Sequence, residues 1–262
     1  MPDQEHRQMT DVVVEPPARA PRLTHLQRTR VLEHYMFGAT AVLFAAIVFA
    51  GFARSYYLGG MVAAPLPSWI VHVHGLLMTL WVALFAVQAA LVSAKQIRVH
   101  QRLGYSAIGL AVMMCVAGIW TAIRAAKYGS ASVPPGFSEP TFSIVPLGDI
   151  VLFALFFGGA LYFRKDAATH KRLMLLTVLN FLPPAVGRLP IGAVQAAPIV
   201  WVLGIISGAA LVWVAFDRWR YGRVNRVFLA GALILIASFP LRIALMGTQV
   251  WTSFSTWLAT LA

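Results

Sequence analysis

Charge is scarce in this sequence, and acidic charge scarcer still. Of 262 residues, 11% are Asp, Glu, Lys or Arg, and nine are acidic. Soluble domains carry about 25% charge on average. With 59% hydrophobic residues and a mean hydropathy of +0.74, a soluble globular domain is excluded. One cysteine, Cys115, rules out an intrachain disulfide and a cysteine metal framework. In the middle of an apolar run it reads as a small buried hydrophobe. A cleavable leader is not expected: residues 1 to 33 are polar and hold Pro16, Pro17 and Pro21, and the first apolar run starts near Tyr35. That run reads as a retained signal anchor. No motif for nucleotide binding or a named reaction is present. The net charge of +12 is spread as punctuation between apolar runs, so nucleic acid is not an expected partner.

Apolar runs are what the sequence has in abundance. Seven candidate spans lie at about 35–54, 68–93, 103–124, 145–163, 172–190, 195–216 and 227–245, each long enough to cross a bilayer. Between the fifth and sixth, only Pro190, Gly192 and Pro198 mark a boundary. Sixteen of the 21 Lys and Arg fall in the N-terminal segment and in the loops after spans two, four and six. The positive-inside rule then puts the N-terminus in the cytoplasm and the C-terminus outside. The expected fold is an all-α bundle of seven transmembrane helices over residues 34–248, in a bacterial cytoplasmic (inner) membrane. A disordered polar tail, 1–33, precedes it. Residues 249–262, with Trp251 and Trp257, read as an outer interfacial segment. Lipid is the first expected partner.

Candidate site residues follow from charge in the wrong place. Arg54, Arg124, Arg188 and Arg242 end the four outward-running spans. Arg172 to Arg188 and Arg226 to Arg242 each cover about 24 Å of helix, short of a ~30 Å hydrocarbon core. Intramembrane ionisable residues mark sites, and Asp149 is the one acid within a span on that side. With His74, these groups read as an outer-half pocket for an anionic group such as a haem propionate, a lipid phosphate or a small carboxylate. In the bland alternative, Asp149 neutralises Arg188 and the other arginines snorkel to the interface. His74 shares a helix face with Met78, Trp81, Phe85 and Gln88. His72, two residues away, points elsewhere and reads as a headgroup contact. His34, His100 and His170 open spans one, three and five; they suit haem or zinc ligation, or ordinary capping and phosphate contacts. Asn180 and Pro183-Pro184 predict a kink in span five. Gly204 to Gly208 suggests a close helix contact on span six.

The segments Arg98-Val-His100-Gln-Arg102-Leu103 and Thr169-His170-Lys171-Arg172-Leu173 repeat H-x-R-L at an offset of 70, which predicts one leading helix and three like-oriented hairpins. Together with His74-Gly75, Gln88, Gly104, Gly118, Met174 and Arg188, they resemble a bacterial family of predicted multi-pass membrane proteins of unknown function. The similarity covers about residues 68–190. The pieces Gly51-Phe52-Ala53-Arg54 and Pro146-Leu147-Gly148-Asp149 are similar to a seven-span subgroup. This resemblance implies the fold and no established activity. A weaker similarity is to cytochrome b561-type proteins, which hold two haems by histidines on four helices. Here the outer half offers only His72 and His74, so a two-haem arrangement is not expected, and Met246 would have to be a sixth ligand. The seven-helix zinc hydrolases of membranes carry an H-x-x-x-H pair that this sequence lacks.

The leading functional expectation is a redox module holding one b-type haem or a quinone, with His74 and either His100 or His170 as ligands. A quinone or an electron-transfer subunit would be its partner. Two other classes stay open: a non-redox carrier or sensor of a small anion or lipid headgroup, using the same arginines, and a metal-dependent membrane hydrolase on the inner histidines.

Overall fold

In hydrocarbon a continuous apolar stretch satisfies its backbone polar groups by closing helical hydrogen bonds, and the computed structural model is helical accordingly. It describes residues 25–59, 68–129, 133 and 137–261, among which there is no strand. Helix α1 (His25–Phe52) runs into a π-helical turn (Ala53–Tyr57). It is followed by α2 (Trp69–Ser93), α3 (Ile97–Tyr128), the short α4 (Glu139–Phe142) and α5 (Ile144–Tyr162). Then come α6 (Ala167–Leu179), α7 (Leu182–Val186), α8 (Gly192–Ala196), α9 (Pro198–Tyr221), α10 (Arg226–Met246) and α11 (Gln249–Ala259). Six of these stretches are long and apolar enough to cross a membrane: Val31–Tyr57, Trp69–Ser93, Ile97–Tyr128, Glu139–Tyr162, Pro198–Tyr221 and Arg226–Met246. That is the build of a multi-pass membrane protein. Residues 25 to 33, read from sequence as the end of the tail, are helical; the rest of that tail lies outside the described residues.

The fifth expected span is not one helix. It is split into α6 and α7 at Asn180 and Phe181. Pro183 and Pro184 have no N–H to donate to the carbonyls four residues back, and their rings crowd that turn. The broken element is also deeply enclosed among the described residues. Leu175, Leu176, Thr177, Val178, Asn180, Ala185 and Val186 are fully covered by protein, with α5 and α10 against α6, and α1 and α9 against α7. Close approach is secured by glycine where the backbones meet. A methyl on Gly51 would overlap the Ala185 carbonyl, and one on Gly231 would strike Leu176.

Polar groups mark the helix starts. Asp166 caps α6 by accepting from the Ala168 and Thr169 N–H groups, and Asn225 caps α10 by accepting from Phe228. Gly222 closes α9 with φ +68°, a left-handed conformation that favours glycine. The starts of α1, α6 and α10 meet the end of α9 at one pole, called here the basic end. At the far end, α11 packs beside α4, and the Trp251 indole donates to the Thr141 carbonyl at 2.8 Å. Ser255 and Leu258 of α11 are buried, whereas Val250, Phe254 and Trp257 face outward.

Candidate functional site

Among the described residues, polar clusters interrupt the apolar interior at several places. The first ties the basic end together. Buried Arg172 on α6 grips Asp217 on α9 with two nitrogens: Nε donates to Oδ2 at 2.8 Å, and Nη2 donates to Oδ1. Its Nη2 also reaches Glu33 on α1 at 3.2 Å. Glu33 accepts from Lys171 at 2.5 Å and from the Tyr221 hydroxyl at 2.9 Å. Two acids thus balance two bases where four helices converge. Asn225 continues the network, donating to Thr169 Oγ1 at 2.8 Å, and Thr169 donates to Asp166 at 2.6 Å. That hydroxyl, with the Thr169 and Ala168 N–H groups, holds the Asp166 carboxyl below the usual carboxylate range. Sequence reasoning counted Arg172 and Lys171 as topology signals and gave Glu33 and Asp217 no role. The usable signal was an acid at the apolar limit of a span on each of α1 and α9.

At the far end the expected anion pocket is not gathered. Asp149 on α5 pairs with Arg242 on α10 (2.6 Å, both buried), not with Arg188. Arg242 also donates to the Val145 carbonyl at 2.7 Å and to the Ser238 carbonyl and hydroxyl at 3.2 Å each. Gly148 makes room for it, since a Cβ there would lie 2.5 Å from Arg242 Cδ. The buried Asn180 amide donates to the Asp149 carbonyl at 2.8 Å, linking the helix break to this pair. Arg188 donates to the Pro184 carbonyl at 2.7 Å and lies over the Phe52 ring. Arg124 lies over Tyr128 of its own helix, and Arg54, in the π-turn, is exposed. Arg242 is therefore already neutralised by a carboxylate.

The third cluster is the seam between α2 and α3. His74 faces Gly118 and Gln88 faces Gly104: a Cβ built on either glycine would lie 3.9 Å and 3.8 Å from the respective side chain. Both pairs add to 192, which defines an antiparallel register and puts Trp81 opposite Ala111, its neighbour in one buried cluster. Positions 74, 81 and 88 repeat every two turns, so a large polar or aromatic side chain on α2 meets a small residue on α3 each time. His74 Nδ1, Trp81 Nε1 and Gln88 Oε1 are all buried without a hydrogen-bond partner among the described residues. Between them, Trp81 packs edge-on against Phe153 and Phe157, and Phe153 meets Phe181 at the helix break. Sequence placed the three residues on one face but did not reveal that glycines 14 residues apart on α3 would answer them.

At the basic end of this seam, His100 on α3 and His170 on α6 come together, ring centres 6.4 Å apart and planes at 88°. His170 Nδ1 sits 2.8 Å from the Ala160 carbonyl. An N–H there leaves Nε2 open. His100 Nδ1 is buried and without a partner among the described residues. His74 is not part of this pair, because the 14 residues to Gln88 span about 21 Å of helix. No group of three or more His, Cys, Asp or Glu suited to a metal ion exists among the described residues. Compared with family models, curated proteins and solved structures, the chain matches none of them.

Proposed function

We propose that this is a seven-span integral membrane protein of a bacterial inner membrane, with its basic end in the cytoplasm, that works as a redox module with one metal centre between His100 and His170. The broken α6–α7 element is the fifth of the seven spans, and α11 lies on the outer surface with its Phe254 and Trp257 face in lipid. The observation that carries the metal reading is the imidazole pair. His100 and His170, with ring centres 6.4 Å apart, would be the residues to hold one metal ion, such as the iron of a b-type haem, between them. The Ala160 carbonyl, 2.8 Å from His170 Nδ1, would fix the orientation of that imidazole toward a metal. Bound haem would supply one-electron chemistry; the residues supply two ligands on separate helices. A membrane quinone or an electron-transfer subunit is the partner such a centre requires.

The test is the optical spectrum of protein purified from cells supplied with haem. A Soret band lost in His100→Ala and in His170→Ala, and retained in His74→Ala, is the expected result. A colourless protein with neither haem nor a stoichiometric metal overturns the reading.

A further inference from the structure

The corner between α9 and α10 carries four arginines in nine residues, Arg218, Arg220, Arg223 and Arg226, and no lysine. A topology signal needs positive charge of either kind. Arginine adds a planar fork that donates parallel N–H groups to a phosphate. The other two basic turns mix the residue types, with Lys95, Arg98 and Arg102 after α2 and Arg164 and Lys165 after α5. Nearby acids do not quench the arginine corner. Asp217, the one acid on α9, is buried in the grip of Arg172, Glu33 is held by Lys171 and Arg172, and Asp166 caps α6. Arg220 donates to Thr29 on α1 at 2.9 Å. Arg218, Arg223 and Arg226 are exposed and enter none of the ion pairs among the described residues.

Next to these charges the helix faces are apolar. Leu211 and Ala215 lie seven and three residues before Arg218, and Leu229 and Leu233 three and seven residues after Arg226, so by the helical period each arginine heads its own stripe. All four stripe residues are exposed. Trp219, 70% exposed, adjoins Arg218, as an indole does at a bilayer surface. A cationic head over two apolar stripes complements an amphiphile with a negative head and acyl chains. We propose that the α9–α10 corner binds an anionic phospholipid, its phosphate gripped by Arg218, Arg223 and Arg226 and its acyl chains laid along the stripes of α9 and α10. Arg218 Nη1 donates to the Gly222 carbonyl at 2.9 Å, which holds that guanidinium over the turn. Basic sites at the ends of membrane helices recognise such headgroups. The inference needs the membrane-spanning helices but not the metal centre.

Native mass spectrometry of the full chain in detergent, titrated with phosphatidylglycerol or with phosphatidylcholine of the same chain length, tests it. Phosphatidylglycerol is expected to bind at least about tenfold more tightly. The combined Arg218→Gln, Arg223→Gln and Arg226→Gln variant should bring the two lipids to within about twofold of each other. Lys95→Gln, Arg98→Gln and Arg102→Gln together remove the same charge and should leave the preference intact. Equal affinities in the wild type overturn the proposal, as does a preference that survives the first variant or is lost equally in both. Glycerol phosphate that binds as tightly as phosphatidylglycerol also overturns it, because the apolar stripes then contribute nothing. Should the Gln variant fail to insert, Arg218→Lys, Arg223→Lys and Arg226→Lys together keep the charge that sets topology. A preference cut at least about threefold then supports the arginine forks, and an unchanged one refutes them.

Discussion

Removing one partner of the Asp149–Arg242 pair exposes how the far end is built. The two groups sit 2.6 Å apart with side chains 8% and 9% exposed. At an effective dielectric constant of about 20, that contact is worth about 6 kcal/mol of attraction before desolvation is counted. Desolvating two ions costs several kcal/mol each, so the pair is close to neutral against apolar residues of the same volume. Arg242→Met leaves the Asp149 carboxylate buried and alone, an expected loss of about 3–5 kcal/mol. Asp149→Leu strands the guanidinium but keeps the carbonyl that accepts from Asn180. Its loss is expected in the same range. The double variant should return to within about 1 kcal/mol of wild type, since no lone charge remains. Reversible unfolding in mixed micelles, followed by helical circular dichroism, measures all three. Single variants that each cost under about 1 kcal/mol, or a double variant that loses the sum of the two, would refute the view that these charges exist for each other. In that case Arg242 returns as an anchor for an external anion.

The same assay checks three further expectations. Gly148→Val should cost about as much as Arg242→Met, roughly 3–5 kcal/mol, because its Cβ takes the place of the guanidinium stem. Arg172→Met strands Asp217 while Glu33 keeps Lys171 and Tyr221, so its loss should be about that of Arg242→Met. Asp166→Ala removes the α6 cap, an expected cost of about 1 kcal/mol. Because the folded state holds the Asp166 carboxyl below its ordinary range, its contribution is complete above the unfolded value of about 3.9 and fades as pH falls through the lower folded value. Wild type should show that acid-side loss relative to Asp166→Ala, and identical pH profiles would remove the assignment.

Hydropathy is a property of neighbouring residues along a chain, and for that reason the spans near 68–93, 103–124 and 227–245 were legible before any coordinates. So was the kink at Asn180, since a proline pair lacks two N–H donors wherever it stands. The His74, Trp81 and Gln88 face follows from the helical period alone. Partner choice is not local. Asp149 had one carboxylate to give and several arginines within reach on paper; the packing of α10 against α5, through the space left at Gly148, gave it to Arg242. Arg172 looked like a topology signal because nothing in its own segment says that Glu33, 139 positions earlier, and Asp217, 45 positions later, fold against it. The sequence by itself determined a helical chain of apolar spans with a broken central element and a polar stripe. Only the tertiary structure decided which charges cancel, that His100 meets His170 while His74 stands apart, and that glycines on α3 face the stripe, because these depend on the antiparallel register at which whole helices dock.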